Sequence, residues 1–161
     1  MKKLLLLALS LFLSGCEELG LTDSDPYKII EKAKVPPVEA LGIALASLGD
    51  KNGYPVSLTF EQNNAAVNYI VGIQIPNALK FITVNSGTGN MVRQGSGDNQ
   101  NVPKGKIKME DALRLAEEKT GGRTVEAHLV KGRPLIFYIK TSKNSVISEV
   151  RIDAKKGSFV Q

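Results

Sequence analysis

One histidine, His128, and one cysteine, Cys16, are all that this 161-residue chain offers toward the commonest metal-binding and nucleophilic chemistry. A zinc site draws on three or four such ligands, and a Cys/His nucleophile pair needs a free thiol beside a base. The composition therefore predicts neither. A Ser-His-Asp arrangement would need a serine on a strand-to-helix elbow, and no G-x-S-x-G spacing occurs. The paired acids Glu110-Asp111 and Glu117-Glu118 fall in a stretch of helical period, where they read as its solvent face. Asp23 and Asp25 lack the longer ligand series of a calcium loop. The glycine-rich segments at 87–95 and 95–100 lack a P-loop lysine and a strand-to-helix setting. The sequence predicts no catalytic residue, no metal and no cofactor, and hence a protein that is not an enzyme.

Cys16 has another use. Met1-Lys2-Lys3 is a short basic start, Leu4 to Leu13 is apolar except for Ser10, and Ser14-Gly15 are small. That is the layout of a secretory signal over residues 1–15, with an apolar run too short to span a bilayer. Leu13-Ser14-Gly15-Cys16 resembles the lipobox of bacterial lipoproteins, in which cleavage precedes the cysteine and its thiol carries a diacylglycerol. The resemblance implies lipidation at Cys16, a tether over residues 16–36, and a membrane contact made through the lipid. Glu17, where an aspartate would favour inner-membrane retention, points toward the outer membrane of a Gram-negative bacterium. Removing residues 1–15 takes away Lys2 and Lys3 and no acid, so the formal charge falls from +5 to +3. Bases and acids are interspersed, which does not suit nucleic acid.

The elements that must position any remaining site come in two similar sets. Ser24-Asp25-Pro26 is a helix-start signal for a short, loosely docked helical stretch. Val38, Leu41, Ala44, Leu45 and Leu48 then form a stripe of helical period ending at Gly49, and Met109, Ala112, Leu113 and Ala116 form another ending at Gly121-Gly122. Each is followed by runs of strand character: residues 55–61, 66–75 and 81–84 in the first half, and 124–129, 135–141 and 150–153 in the second. Val84-Asn85-Ser86-Gly87-Thr88-Gly89 and Ile152-Asp153-Ala154-Lys155-Lys156-Gly157 close the two sets, with Asn85 and Asp153 read as turn residues. Residues 93–106, rich in glycine, asparagine and serine, read as a linker.

On these residues each half resembles a PepSY domain, a module named after the propeptides of secreted metallopeptidases. The second half carries Ala112, Ala116, Gly121-Gly122, Tyr138 and the closing Asp153-Ala154, with Lys156 where threonine is usual. The first has Ala40, Ala44 and Gly53, with Asn85 replacing the aspartate. The expected class is α+β: two tandem αβββ units at 37–92 and 107–161, each a helix packed on a three-stranded antiparallel sheet. The resemblance implies a non-enzymatic, lipid-anchored envelope protein that binds another envelope protein, restraining a peptidase or cell-wall hydrolase. The alternative is a lipoprotein that binds a small ligand or envelope polymer.

If a helix covers one sheet face, the other is left for recognition or for packing on the second repeat. In the second half it would carry Glu126, His128 and Val130, then Ile136, Tyr138 and Lys140, then Ile147, Glu149 and Arg151. Tyrosine and arginine among aliphatic residues suit protein recognition. Tyr138 and Arg151, with His128 beside them, are the expected centre of a partner-binding patch.

Overall fold

The computed structural model describes residues 25–49, 52–63 and 66–161. The expected signal peptide (1–15), Cys16 and the first part of the tether lie outside the described residues.

Glycine ends each of the two longer helices at the place where the chain must reverse. Helix α2 (Pro37–Leu48) stops at Gly49 with φ 65° and α3 (Met109–Thr120) at Gly121 with φ 66°. This is the left-handed conformation that suits a residue without Cβ. After α2 come β1 (Tyr54–Asn63), β2 (Ala66–Ile75), β3 (Ala78–Asn85) and β4 (Met91–Gly97); after α3 come β5 (Arg123–Val130), β6 (Ile136–Lys143) and β7 (Val146–Asp153). A further helix, α1 (Pro26–Glu31), precedes them and is capped by Asp25, whose side chain accepts from Tyr27 N at 3.0 Å.

The expectation of two tandem units, each with its own three-stranded sheet, is overturned. The strands form one antiparallel seven-stranded sheet in the order β4-β3-β2-β1-β5-β6-β7. The first strands of the two halves pair with each other, Ser57 opposite His128 and Leu58 opposite Ala127. This removes two exposed sheet edges, the feature that most exposes a small β unit to unwanted pairing. A local twofold organises the result. Leu58 and Ala127 hold equivalent places in the two halves, and so do Val56 and Val125, the residues at the register shifts of β1–β2 and β5–β6.

The expected linker is also corrected in part, because residues 93–97 belong to β4, which pairs with β3. Its composition is poor for a strand, yet glycine is what this position accepts. A Cβ on Gly97 would come within 2.9 Å of the Phe81 ring. In the second half the corresponding pairing is a single bridge, Ile152 to Phe159, the counterpart of Val84 with Met91.

Helix α2 packs on β1–β3 and α3 on β5–β7. Alternate strand residues meet them: Leu58, Tyr69, Val71, Ile73 and Ile82 from the first half, Ala127, Phe137, Ile139 and Ile152 from the second, all without solvent exposure. From the helices come Leu41, Ala44, Met109, Ala112, Leu113 and Ala116. Tyr69 is buried whole, its hydroxyl donating to Val35 O at 3.1 Å, and burial pushes its pKa up to about 12.

Residues 25–36, expected to be loosely docked, are pinned to both halves. Ile30 is fully buried. Val35 N donates to Ser86 O in the first half, while Arg123 from β5 donates to the carbonyls of Ile30 (3.2 Å) and Ala33 (2.6 Å).

Candidate functional site

Antiparallel pairing decides which side chains share the face opposite the helices, because directly paired residues point the same way. His128 pairs with Tyr138, and Tyr138 pairs with Arg151. The three expected patch residues therefore form one row across β5, β6 and β7. Extended in the other direction, the row runs through Ser57, Gly72, Phe81 and Gly95. Glu126, Lys140 and Glu149 form the row on one side of it, and Val130, Ile136 and Asp153 the row on the other. Because the halves join edge to edge through β1 and β5, they do not stack, and among the described residues this face of β5–β7 is left open. Arg151, Val130 and Ile147 are exposed, and His128 and Tyr138 are half-buried.

A connected polar network organises the face. Glu126 takes one bond from each neighbour: His128 Nε2 lies 2.9 Å from its Oε1, and Lys140 Nζ 2.9 Å from its Oε2. Partial burial acts to raise the Glu126 carboxyl, but the bonds from Lys140 and His128 outweigh it, and the net shift is downward. The same bond to Glu126 is the main reason that Lys140 is held above its ordinary value. Tyr138 stands between two cations, with Arg151 Cζ 5.8 Å and Lys140 Nζ 6.0 Å from its ring centroid. Its hydroxyl bonds to Glu149, and that bond is the largest cause of an upward shift at Tyr138.

This arrangement holds Glu126, His128 and Lys140 in place relative to one another. Among the described residues no group of three His, Cys, Asp or Glu is placed to hold a metal ion. Asp153 is engaged in its turn, where Oδ1 accepts from Lys155 N (2.8 Å) and Lys156 N (3.0 Å), bonds that lower its pKa. Asn85 does the same in the first half, accepting from Gly87 N (3.0 Å) and Thr88 N (2.9 Å). Gly157 and Gly89, with φ 71° and 74°, complete the two reversals.

Two features escaped sequence reasoning. Between the end of α2 and the start of α3 lies an open cavity of about 520 Å³ lined by Leu45, Ala46, Tyr54, Pro55, Lys108 and Glu110. Its walls come from segments far apart in the chain, so no local pattern announces it. The second feature is an ion pair of Arg93 with Glu61 (3.1 Å), in which β4 reaches β1 across β2 and β3. Three strand spacings make about 14 Å, so the first half of the sheet curls toward this face.

Comparison with protein-family models gives no match, and comparison with curated proteins gives none at a significant level. Among solved structures, the chain is similar to a candidate lipoprotein from Clostridium difficile 630. The identity is 18%, the match covers 80% of this chain and 92% of the other, and the TM-score is 0.48.

Proposed function

We propose that this protein is a non-enzymatic lipoprotein of the cell envelope that binds another protein through the open face of β5–β7. The observation that carries the reading is the register row His128–Tyr138–Arg151, an aromatic ring and a guanidinium side by side on an uncovered sheet. Tyrosine and arginine concentrate binding energy at protein interfaces, the ring through apolar area and the planar fork through bidentate bonds to carboxylates. The PepSY resemblance points to a secreted peptidase or cell-wall hydrolase as the partner. The lipobox-like Leu13-Ser14-Gly15-Cys16 would supply the anchor, and Glu17 directs the expectation to an outer membrane.

A photo-crosslinking residue at Tyr138 in intact cells, followed by mass spectrometry, tests the binding reading. The expected result is one dominant envelope protein captured at Tyr138 and not at Val92 on the far edge of the sheet. Capture that is equal at both positions, or absent, counts against it. The anchor is tested separately with a fatty-acid probe, which should label the native chain and leave Cys16→Ser unlabelled and released from the membrane.

The cavity favours a second reading, the binding of a small ligand or envelope polymer. Its lining is mainly apolar, and Glu110 Oε2 is buried without a hydrogen-bond partner among the described residues. If this is the working site, Glu110→Gln alters a ligand-induced thermal shift and leaves crosslinking at Tyr138 unchanged.

A further inference from the structure

The described chain starts at Asp25, and Asp25 is fastened to one particular place. Its Oδ2 accepts from Ser145 Oγ at 2.6 Å, and at the other end of α1 Glu31 Oε1 accepts from Ser142 Oγ (2.6 Å) and Ser145 N (2.9 Å). Ser142 lies near the end of β6 and Ser145 in the β6–β7 turn, a tight reversal in which Asn144 and Ser145 both have positive φ. Directly after that turn stand two exposed aliphatic side chains, Val146 at 66% exposure and Ile147 at 37%. The strand opens with two of its four aliphatic residues facing water, beside Asp25, the first described residue on the side of Cys16.

We propose that the β6–β7 hairpin tip is a membrane-contacting element, with Val146 and Ile147 entering the interfacial layer of the bilayer that holds the lipid on Cys16. The inference rests on the lipid-anchor reading above. Nine residue steps separate Cys16 from Asp25, a reach of at most about 32 Å. The opposite edge of the sheet, β4, lies six strand spacings from β7, about 29 Å. The hairpin lies at the base of that chain and can meet the lipid at any extension, whereas β4 can meet it only when the chain is drawn nearly straight. Two aliphatic side chains do not hold a protein on a bilayer by themselves. They can orient one that a tether already keeps at high effective concentration. Tyr138 lies five residues up β6 from Lys143, about 16 Å, so this orientation lifts the His128–Tyr138–Arg151 row clear of the headgroups.

The test uses the full lipidated chain in vesicles of phosphatidylethanolamine and phosphatidylglycerol. A thioether-linked Cys16 cannot react, so Val146→Cys and Val92→Cys each accept one environment-sensitive fluorophore. Both native residues are exposed, so the label disturbs little of the core. Lipids brominated near the headgroup should quench the label at 146 several-fold more than the label at 92. Equal quenching at the two sites, or none at 146, overturns the proposal. The intact mass, measured on the same sample, separates the two readings. A lipidated mass without preferential quenching sinks the orientation alone, whereas an unmodified Cys16 sinks the anchor and the orientation with it.

Discussion

Tyr138 is held from three directions, by Arg151 and Lys140 beside its ring and by Glu149 at its hydroxyl. Such a residue loses little conformational freedom on binding, since its rotamer is already set. Neither Tyr138 nor Arg151 reaches the core between sheet and helices, so their removal changes recognition more than folding. The double variant Tyr138→Ala/Arg151→Ala should weaken partner capture about fivefold or more. Its melting temperature should stay within about 2 °C of the parent. Calorimetry on the purified variant, run beside the crosslinking yield, separates the effects; a large drop in melting temperature would place these side chains in a structural role. The row was legible in the sequence because alternation in strands fixes which residues share a face, and β5 and β6 alternate cleanly on both sides of His128 and Tyr138.

Among the elements, α1 forms where the sequence predicts a helical stretch but is docked more firmly than expected. Its six residues are too few for a stable isolated helix. What holds it is not visible locally, since its partners Arg123, Ser142 and Ser145 lie far along the chain, in β5 and around the β6–β7 turn. The same limit explains β4, where glycine-rich residues form a strand because the free edge of β3 offers a template and Phe81 needs space. By contrast, the boundaries of α2 and α3 were legible from apolar period and terminal glycines, signals carried within each helix and its cap. The α1 clamp is pH-dependent in a defined direction. The Ser142 hydroxyl bond, with the Ser145 amide behind it, holds the Glu31 carboxyl below its ordinary value, and the Ser145 hydroxyl does the same for Asp25. A carboxylate whose folded pKa is depressed stabilises the fold above its unfolded pKa, about 4, and loses that contribution as pH falls through the folded value. Protection factors of the amides in 25–36, corrected for the intrinsic pH dependence of exchange, should therefore fall below about pH 4, before those in β2 and β6 do. Glu31→Gln should show faster exchange there already at neutral pH, and Arg123→Ala should as well. Unchanged protection of 25–36 in both variants would mean that burial of Ile30 alone docks the helix.

At the scale of the whole molecule, the paired strands β1 and β5 turn two similar halves into one cooperative body. A unit of ~60 residues buries a marginal core, and here each half lends the other a sheet neighbour at the Leu58–Ala127 pair. Residues 25–36 add a second connection, reaching β2 through Val35 and β5 through the Ile30 and Ala33 carbonyls. Stability should then be a property of the sheet and not of either half. Phe137 in β6 is fully buried, so Phe137→Ala removes a large core side chain at a cost of about 3–5 kcal/mol. If the halves were independent, this loss would appear only in the amides of β5–β7. In a single body, global opening exposes every amide together, so the slowest-exchanging amides of β2, such as those of Val71 and Ile73, should lose protection by the same free energy as those of β6. Hydrogen exchange read residue by residue, with one calorimetric transition for each protein, makes the measurement. Native protection in β2 beside a weakened β6, or a melt that splits into two steps, would show that the β1–β5 joint does not transmit stability.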